Sequence, residues 1–349
     1  MNFGIIGCGG AANDMSQMVK ALKRVEIIAA CDPILSRACK VAGEEHSYKE
    51  VERMYENENL DAVYLAVPHH LHGPMIKQAL ENGLHVFCEK PVANTIESAR
   101  EILRLDKKYS NLKVGINYQH RYDYNCRDLA LSIQNGHLGK NYYAIANGYF
   151  NRERDYFDQG PWRASMESSG GGTLLIQASH ILDIMIWAFG DPLYVTGKID
   201  NLKFKDIEVE DTGFGIIEFK SGSYGQISNT MITSYDKPRK SVIYDRVEMK
   251  VVGEKGSCYY EGPWPLSSLK WSGVKKFIAE EMLPSDSFIS IDRTNPSGAY
   301  GECLKAFSNW ILDDTPFLNT IEESSKVLLL VKTLYKSSKT GKKERVEKL

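Results

Sequence analysis

A strand pattern at residues 3–6 runs straight into Gly7-Cys8-Gly9-Gly10-Ala11-Ala12, and a helical pattern follows over residues 12–22. This strand–turn–helix constrains the fold more than any other segment. Gly7 permits the tight turn, Gly9 lets the backbone approach a pyrophosphate, and Ala12 lets helix and strand pack closely. Gly10 and Ala11 open the helix, whose free amides and dipole attract phosphate. Asp32 closes the next strand pattern, residues 25–31, and stands 23 residues after Gly9. A carboxylate placed there accepts hydrogen bonds from the adenosine ribose. It favours NAD over NADP because it repels a 2′-phosphate. Arg37 lies close enough to reverse that preference, or else is a solvated helix residue, so NADP stays open. A flavin is less favoured, since no further nucleotide-contacting motif accompanies the turn.

The same alternation continues to about residue 120. Strand patterns at 62–67, 85–88 and 113–118 are separated by helical patterns at 36–42, 51–55, 74–80 and 96–105. Such alternation implies a parallel sheet with helices on both faces. Beyond residue 120 the rhythm changes. A helix is expected at 127–133, a strand at 142–150, a polar loop at 151–172 and one long helix at 173–189. Several strands between 194 and 260 imply an antiparallel sheet, and helices follow at 305–311 and 324–334. The expected division is therefore 1–120, a dinucleotide-binding α/β Rossmann domain with a doubly wound parallel sheet, and 121–349, an α+β domain. A length of 349 residues suits two domains.

Composition narrows the partners. With 43 Lys+Arg against 45 Asp+Glu the net charge is −2, which gives no basic surface for nucleic acid or membrane. No apolar run reaches the roughly 18 residues of a membrane span. The seven cysteines form no CxxC pair and sit mostly in apolar runs, as reduced buried thiols do. The chain opens on a strand pattern without a leader-like segment, so the cytoplasm is the expected compartment.

Two further segments carry chemistry. Glu89-Lys90-Pro91 ends the strand at 85–88, and ligands of open α/β sheets bind beyond the carboxyl ends of strands. A lysine there brings an ammonium beside a nicotinamide and a substrate oxygen; a surface lysine is the alternative. Gly170-Gly171-Gly172 leads into an almost wholly apolar helix, interrupted by Thr173, Gln177, His180 and Asp183. Their spacings put neighbours on adjacent turns of one side. A polar stripe on a buried helix is either a structural network or a substrate site. Asn117, Tyr118 and Arg121 follow the last strand of the alternation and are candidates for substrate contact. Tyr149 and Trp162 offer rings for stacking, and Arg163 a guanidinium for an acidic sugar or phosphate, each with packing or a loop salt bridge as the alternative. His69, His70 and His72 cluster without a Cys or carboxylate at ligand spacing, so no metal site is expected.

Taken together, the chain resembles the glucose–fructose oxidoreductase / inositol dehydrogenase / MocA family over essentially its whole length. The marks are Gly7-x-Gly9-x-x-Ala12, Ala66-Val67-Pro68-His69-His70-Leu71-His72, Glu89-Lys90-Pro91, and Gly170-Gly171-Gly172 followed by His180-Ile181-Leu182-Asp183. The resemblance implies a Rossmann domain followed by a domain with an open, mostly antiparallel sheet that forms subunit interfaces, hence a homodimer or homotetramer. It implies hydride transfer between NAD or NADP and a carbinol carbon of a sugar, polyol or similar molecule. It places Val67, Pro68, His69 and His72 near the nicotinamide, with Glu89 and Lys90 on the cofactor side, and assigns Lys90 and His180 to catalysis. Imidazole suits proton transfer near neutral pH, and a fixed ammonium stabilises developing alkoxide.

One departure matters. Inositol dehydrogenases of the family carry an Asp four residues before the His, where this chain has Ile176, followed by Gln177. Gln177 can hydrogen-bond a sugar hydroxyl but cannot take its proton. With Pro161-Trp162-Arg163 upstream and Glu208-Val209-Glu210-Asp211 downstream, the pattern looks more like branches acting on sugars or nucleotide-linked sugars. Two alternatives stand beside the dehydrogenase: an NAD-dependent glycosidase, and a non-catalytic NAD(P)-binding regulator. A regulator is expected to lose Lys90 or His180, and both are retained.

Overall fold

The structure, a computed structural model, describes residues 1–233, 245–262, 268–273 and 298–349. It divides into two compact units: Met1–Asp123 with Ile289–Ser325, and Tyr124–Phe288 with Lys326–Leu349, each in its described part.

The first unit follows the expected alternation. Its elements are β1 (Asn2–Ile6), α1 (Gly10–Val19), β2 (Glu26–Cys31), α2 (Leu35–Ala42), β3 (Ser47–Tyr48), α3 (Val51–Asn57), β4 (Ala62–Leu65), α4 (His72–Glu81), β5 (His85–Cys88), α5 (Ile96–Lys108) and β6 (Val114–Ile116). The strands pair in the order β3-β2-β1-β4-β5-β6, all parallel. That is the doubly wound order, which reverses between β1 and β4. All of β4 and the last four residues of β1 are buried, as strands covered on both faces must be. The two-residue β3 carries too little apolar periodicity to be read from sequence.

The second unit contains α6 (Tyr124–Gln134), β7 (Asn141–Tyr149), α7 (Arg154–Asp158), α8 (Met166–Ser169), α9 (Thr173–Ile176), α10 (Ser179–Phe189), β8 (Pro192–Asp200), β9 (Thr212–Phe219), β10 (Tyr224–Thr230), β11 (Arg246–Gly253), β12 (Ser257–Gly262) and β13 (Ser268–Ser272). After α11 (Gly298–Asp313), which belongs to the first unit, α12 (Ile321–Thr340) leads into β14 (Glu344–Arg345). Eight strands form one sheet in the order β13-β12-β11-β7-β10-β9-β8-β14. Among the described strands of this sheet only β7 and β10 pair parallel. One face is covered: Ile217, Ile227, Met249 and Val251 are buried there, and Leu334 of α12 lies against Gly197 and Gly215. The other face is open. Tyr143, Phe214, Ile216 and Tyr224 stand exposed on it, brought together by the pairs Tyr224↔Tyr143, Gln226↔Ile216 and Ser228↔Phe214.

Three expectations change. The polar stretch 151–172 is not a plain loop but holds α7, α8 and a single helical turn at Pro161–Ala164. The helix expected over 173–189 is two helices, and the segments Met166–Ile176 and Ser179–Phe189 meet at 62°. Thr173 O accepts both Gln177 N (3.1 Å) and Ala178 N (2.9 Å), a wide π-type turn that breaks the ladder. The division at residue 120 also fails to place α11, which packs with the first unit. Phe307 stacks on Phe87 (5.1 Å between centroids) and meets Phe3 and Phe317 edge-on, filling one face of the parallel sheet with aromatic rings. Among the described residues no single helix is long and apolar enough to cross a membrane.

Gly115 of β6 makes room for that aromatic cluster: a Cβ there would lie 2.6 Å from Phe317 and 2.7 Å from Phe307. Gly115→Ala is expected to destabilise the protein by about 1–3 kcal/mol, as overpacking does, seen as a lower urea midpoint. An unchanged midpoint would refute this packing of α11.

Candidate active site

The carboxyl edge of the parallel sheet holds the candidate nucleotide-binding elements. Gly7 has φ +84°, and a Cβ on it would lie 2.6 Å from Ala66 O, so the crossing of the β1 and β4 ends admits only glycine. Gly9 is the N-cap of α1, and no side chain caps that helix. Gly9 and Gly10 are exposed with open space where a Cβ would stand, and Ala12 is fully buried. The first-turn amides, Ala11 among them, are therefore uncapped by any side chain, a geometry that suits an anion. Asp32 is buried; its Oδ2 accepts Cys8 N (2.8 Å) and its Oδ1 accepts Ile34 N (2.8 Å), which ties the glycine turn to the start of α2. Arg37 is exposed in the first turn of α2. An uncapped helix start, two uncrowded glycines and an acid at the next strand end suit a dinucleotide.

At the neighbouring strand ends, Lys90 is half-buried directly after Glu89. The Glu89 carboxylate turns inward. Its Oε1 accepts Tyr64 OH (2.6 Å) and Asn117 Nδ2 (2.7 Å), and its Oε2 accepts Lys90 N (3.3 Å). Burial pushes Glu89 above the ordinary carboxylate range, against the Lys90 charge and these bonds, which pull it down. His72 is fully buried, one ring nitrogen 2.8 Å from Pro91 O and the other 3.1 Å from Val67 O. Thus His72 staples the Val67-Pro68 turn to the Glu89-Lys90-Pro91 turn and does not face a ligand. Val67 and Pro68 are half-buried, while His69 is buried with its ring 5.6 Å from that of His72.

Asn117 and Arg121, expected at the substrate, serve the scaffold. Asn117 is fully buried beneath Glu89. Arg121 is 2% exposed and donates to Leu318 O (3.1 Å), with Glu323 Oε2 at 3.8 Å. Its length lets it reach the segment before α12, which sequence distance hid. His120 was not foreseen. It is half-buried, and burial lowers its pKa, with Asp123 opposing and Lys90 adding to the fall, so the Lys90 ammonium acts on this imidazole. Its place three residues after Asn117 was the only signal.

In the second unit the acidic run 208–211 organises the candidate residues. Glu208 accepts Met166 N (2.8 Å) at the start of α8. Glu210 accepts Gly172 N (2.8 Å), Leu174 N (2.8 Å) and Tyr335 OH (2.5 Å) at the start of α9. Asp211 accepts the amides of Leu202, Lys203 and Phe204. Burial raises the Glu210 pKa, and these donors oppose that rise. A Cβ on Gly172 would lie 2.0 Å from Glu210 O, and one on Gly171 2.3 Å from Tyr335 OH, which explains the glycines. Beyond this clamp the bend presents Gln177. That residue is 8% exposed; its Nε2 donates to Tyr156 OH (3.2 Å), and its Oε1 has no partner among the described residues. His180 is half-buried in the first turn of α10, and Asp183, one turn on, is buried. The bend removes the single polar stripe expected over 173–183, and Thr173 is taken by Asn229 Nδ2 (2.5 Å). Trp162 and Arg163 are half-buried in the turn Pro161–Ala164. Tyr156, also unforeseen, lies under the Arg163 guanidinium at 4.6 Å. No group of three His, Cys, Asp or Glu residues suited to a metal occurs among the described residues.

Two family models match the chain: an oxidoreductase family with an NAD-binding Rossmann fold over residues 1–118, and the GFO/IDH/MocA C-terminal domain over residues 127–259. An uncharacterized oxidoreductase of Schizosaccharomyces pombe is 30% identical over 47% of this chain and 43% of its own length. The D-glucoside 3-dehydrogenase of Escherichia coli is 28% identical over 62% of this chain and 66% of its own. The chain thus spans less than two thirds of these relatives. The WlbA dehydrogenase from Bordetella pertussis, solved with NADH and UDP-GlcNAcA, shares the fold with a TM-score of 0.83 at 24% identity, over 99% of this chain and 98% of its own.

Burial pushes the His72 pKa down to about 4, against the backbone groups of Pro91, Val67 and Val92, which raise it. The unfolded chain then binds the extra proton first, so stability is lost as pH falls from about 6.5 to about 4, by on the order of 3 kcal/mol. Comparing urea midpoints of wild type and His72→Asn across that range should show the gap between them shrinking toward low pH. A gap independent of pH would refute the neutral, buried His72.

Proposed function

The chain belongs to the GFO/IDH/MocA oxidoreductase family, and from that premise we propose that it moves hydride between NAD and a carbinol carbon of a sugar, nucleotide-linked sugar or polyol. The observation that carries this reading is the shared carboxyl edge of one parallel sheet. That edge bears an uncapped glycine-turn helix, Asp32 and the half-buried Lys90 together. The dehydrogenase name of the Escherichia coli relative supports a sugar-like substrate. Bound NAD supplies the hydride acceptor or donor. Gly9, Gly10 and Ala11 would hold its pyrophosphate on a turn shaped by Gly7 and Ala12, and Asp32 would accept from its adenosine ribose, which favours NAD over NADP.

In oxidation the carbon loses hydride and its hydroxyl loses a proton. We assign the proton to His180, since imidazole is the side chain suited to proton transfer near neutral pH. The Lys90 ammonium holds the hydroxyl oxygen and stabilises the alkoxide as it forms. Gln177 binds a neighbouring hydroxyl. Glu89 and His72 hold the Lys90 turn, so they position rather than react. The exposed Tyr143, Phe214, Ile216 and Tyr224 supply an apolar sheet face for a second copy of the chain, which makes the protein a homo-oligomer.

Screening free and nucleotide-linked sugars for NADH production is the direct test. Lys90→Ala and His180→Ala should each lower turnover by at least ~100-fold. Full activity in both variants would refute the assignment. NAD⁺ should bind more tightly than NADP⁺ in a calorimetric titration, and the reverse order would overturn the role of Asp32. Sedimentation should show an oligomer that Phe214→Asp with Ile216→Asp dissociates; a wild-type monomer would refute the interface.

A further inference from the structure

Two arginines flank Tyr156, and they differ in one respect. Arg152 lies 5.3 Å from the Tyr156 ring and is neutralised by Asp245, Nη1–Oδ1 at 3.1 Å and Nη2–Oδ2 at 2.9 Å. Arg163 lies 4.6 Å from the same ring and 5.2 Å from that of Trp162. Its Nη1 donates to Tyr156 O (3.0 Å), yet no carboxylate among the described residues pairs with it. The guanidinium is also held in place. It is half-buried against two rings, and a Cβ on Gly160 would lie 2.1 Å from Nη1. A half-buried guanidinium packed on two rings, with no carboxylate partner among the described residues, keeps part of its fork for an anion.

The hydroxyl of Tyr156 links this charge to the proposed substrate residue Gln177, 3.2 Å away, whose buried Oε1 has no donor among the described residues. Tyr156 thus touches both the residue with an open acceptor, Gln177, and the Arg163 guanidinium. We propose that the substrate is an anionic sugar. One of its hydroxyls donates to Gln177 Oε1, and a carboxylate or phosphate on the same sugar meets the planar fork of Arg163, which matches either group bidentately. Arg152 cannot do this, because Asp245 already occupies its fork. The proposal rests on the sugar-dehydrogenase reading and narrows it to charged substrates.

The test reads binding to protein loaded with NADH, so that no turnover is needed. Calorimetry compares pairs that differ in the anion: D-glucuronate against D-glucose, UDP-glucuronate against UDP-glucose, and D-glucose 6-phosphate against D-glucose. In at least one pair the charged member should bind about 10- to 100-fold more tightly, the range of a charge-assisted contact. The pair that responds distinguishes carboxylate from phosphate. Arg163→Gln should abolish that ratio and Arg163→Lys should lower it part-way, with thermal midpoints confirming that both variants fold. Equal affinities in every pair, no measurable binding of any sugar, or a ratio that survives Arg163→Gln would each overturn the proposal. Failure of the dehydrogenase reading shows separately, as no NADH formed from any sugar under NAD⁺.

Discussion

Because all six strands of the first unit run the same way, their carboxyl ends meet at a single edge. Everything chemical in that unit follows from this constraint. Gly7, Asp32, Val67 and Lys90 are far apart in the chain, yet each is the first or second residue beyond a strand on that edge. The strands beneath are buried and stiff, so the loops vary without disturbing the sheet. Three sets of hydrogen bonds then fix the loops to one another. Asp32 ties the glycine turn to α2, His72 ties the β4 loop to the β5 loop, and Glu89 ties the lysine turn to Tyr64 and Asn117. His72 and Glu89 act on neighbours rather than outward, which is how loops at a sheet edge acquire rigidity.

The second unit solves a different problem. A helix as apolar as 179–189 must be buried, and its first turns still carry the polar His180 and Asp183. The acidic run 208–211 reconciles these demands. Glu210 satisfies the orphan amides at the start of α9 from within the core, where water cannot reach. Glycine at 171 and 172 is the steric consequence, because Glu210 and Tyr335 approach closer than any Cβ allows. With that end anchored, the chain turns through 62° before α10, and Gln177 and His180 lie at or just beyond the bend.

Local chemistry made much of this legible. The glycine turn, the strand alternation and the Glu89-Lys90-Pro91 turn all announce themselves through residues next to one another. The misread residues depend on distant partners. Arg121 was expected at the substrate but spends its guanidinium on residues 318–323, some two hundred positions away. His72 reads as an open histidine until Pro91 O and Val67 O enclose it. The break after Ile176 has no proline or glycine to mark it, and its apolar periodicity runs on, so only the doubled bond to Thr173 O reveals it. Tyr156 lay in a stretch too polar to read as structure, and its importance comes from two arginines and a glutamine that meet it in space.

The sequence by itself determined the parallel fold, the dinucleotide turn and the positions of Lys90 and His180. Each of these rests on short-range rules of backbone freedom and apolar period. Tertiary structure decided which polar residues brace the scaffold. A side chain's role depends on what shares its burial, and partners such as Leu318 for Arg121, Pro91 for His72 and Tyr335 for Glu210 are set by packing between segments that no local pattern connects.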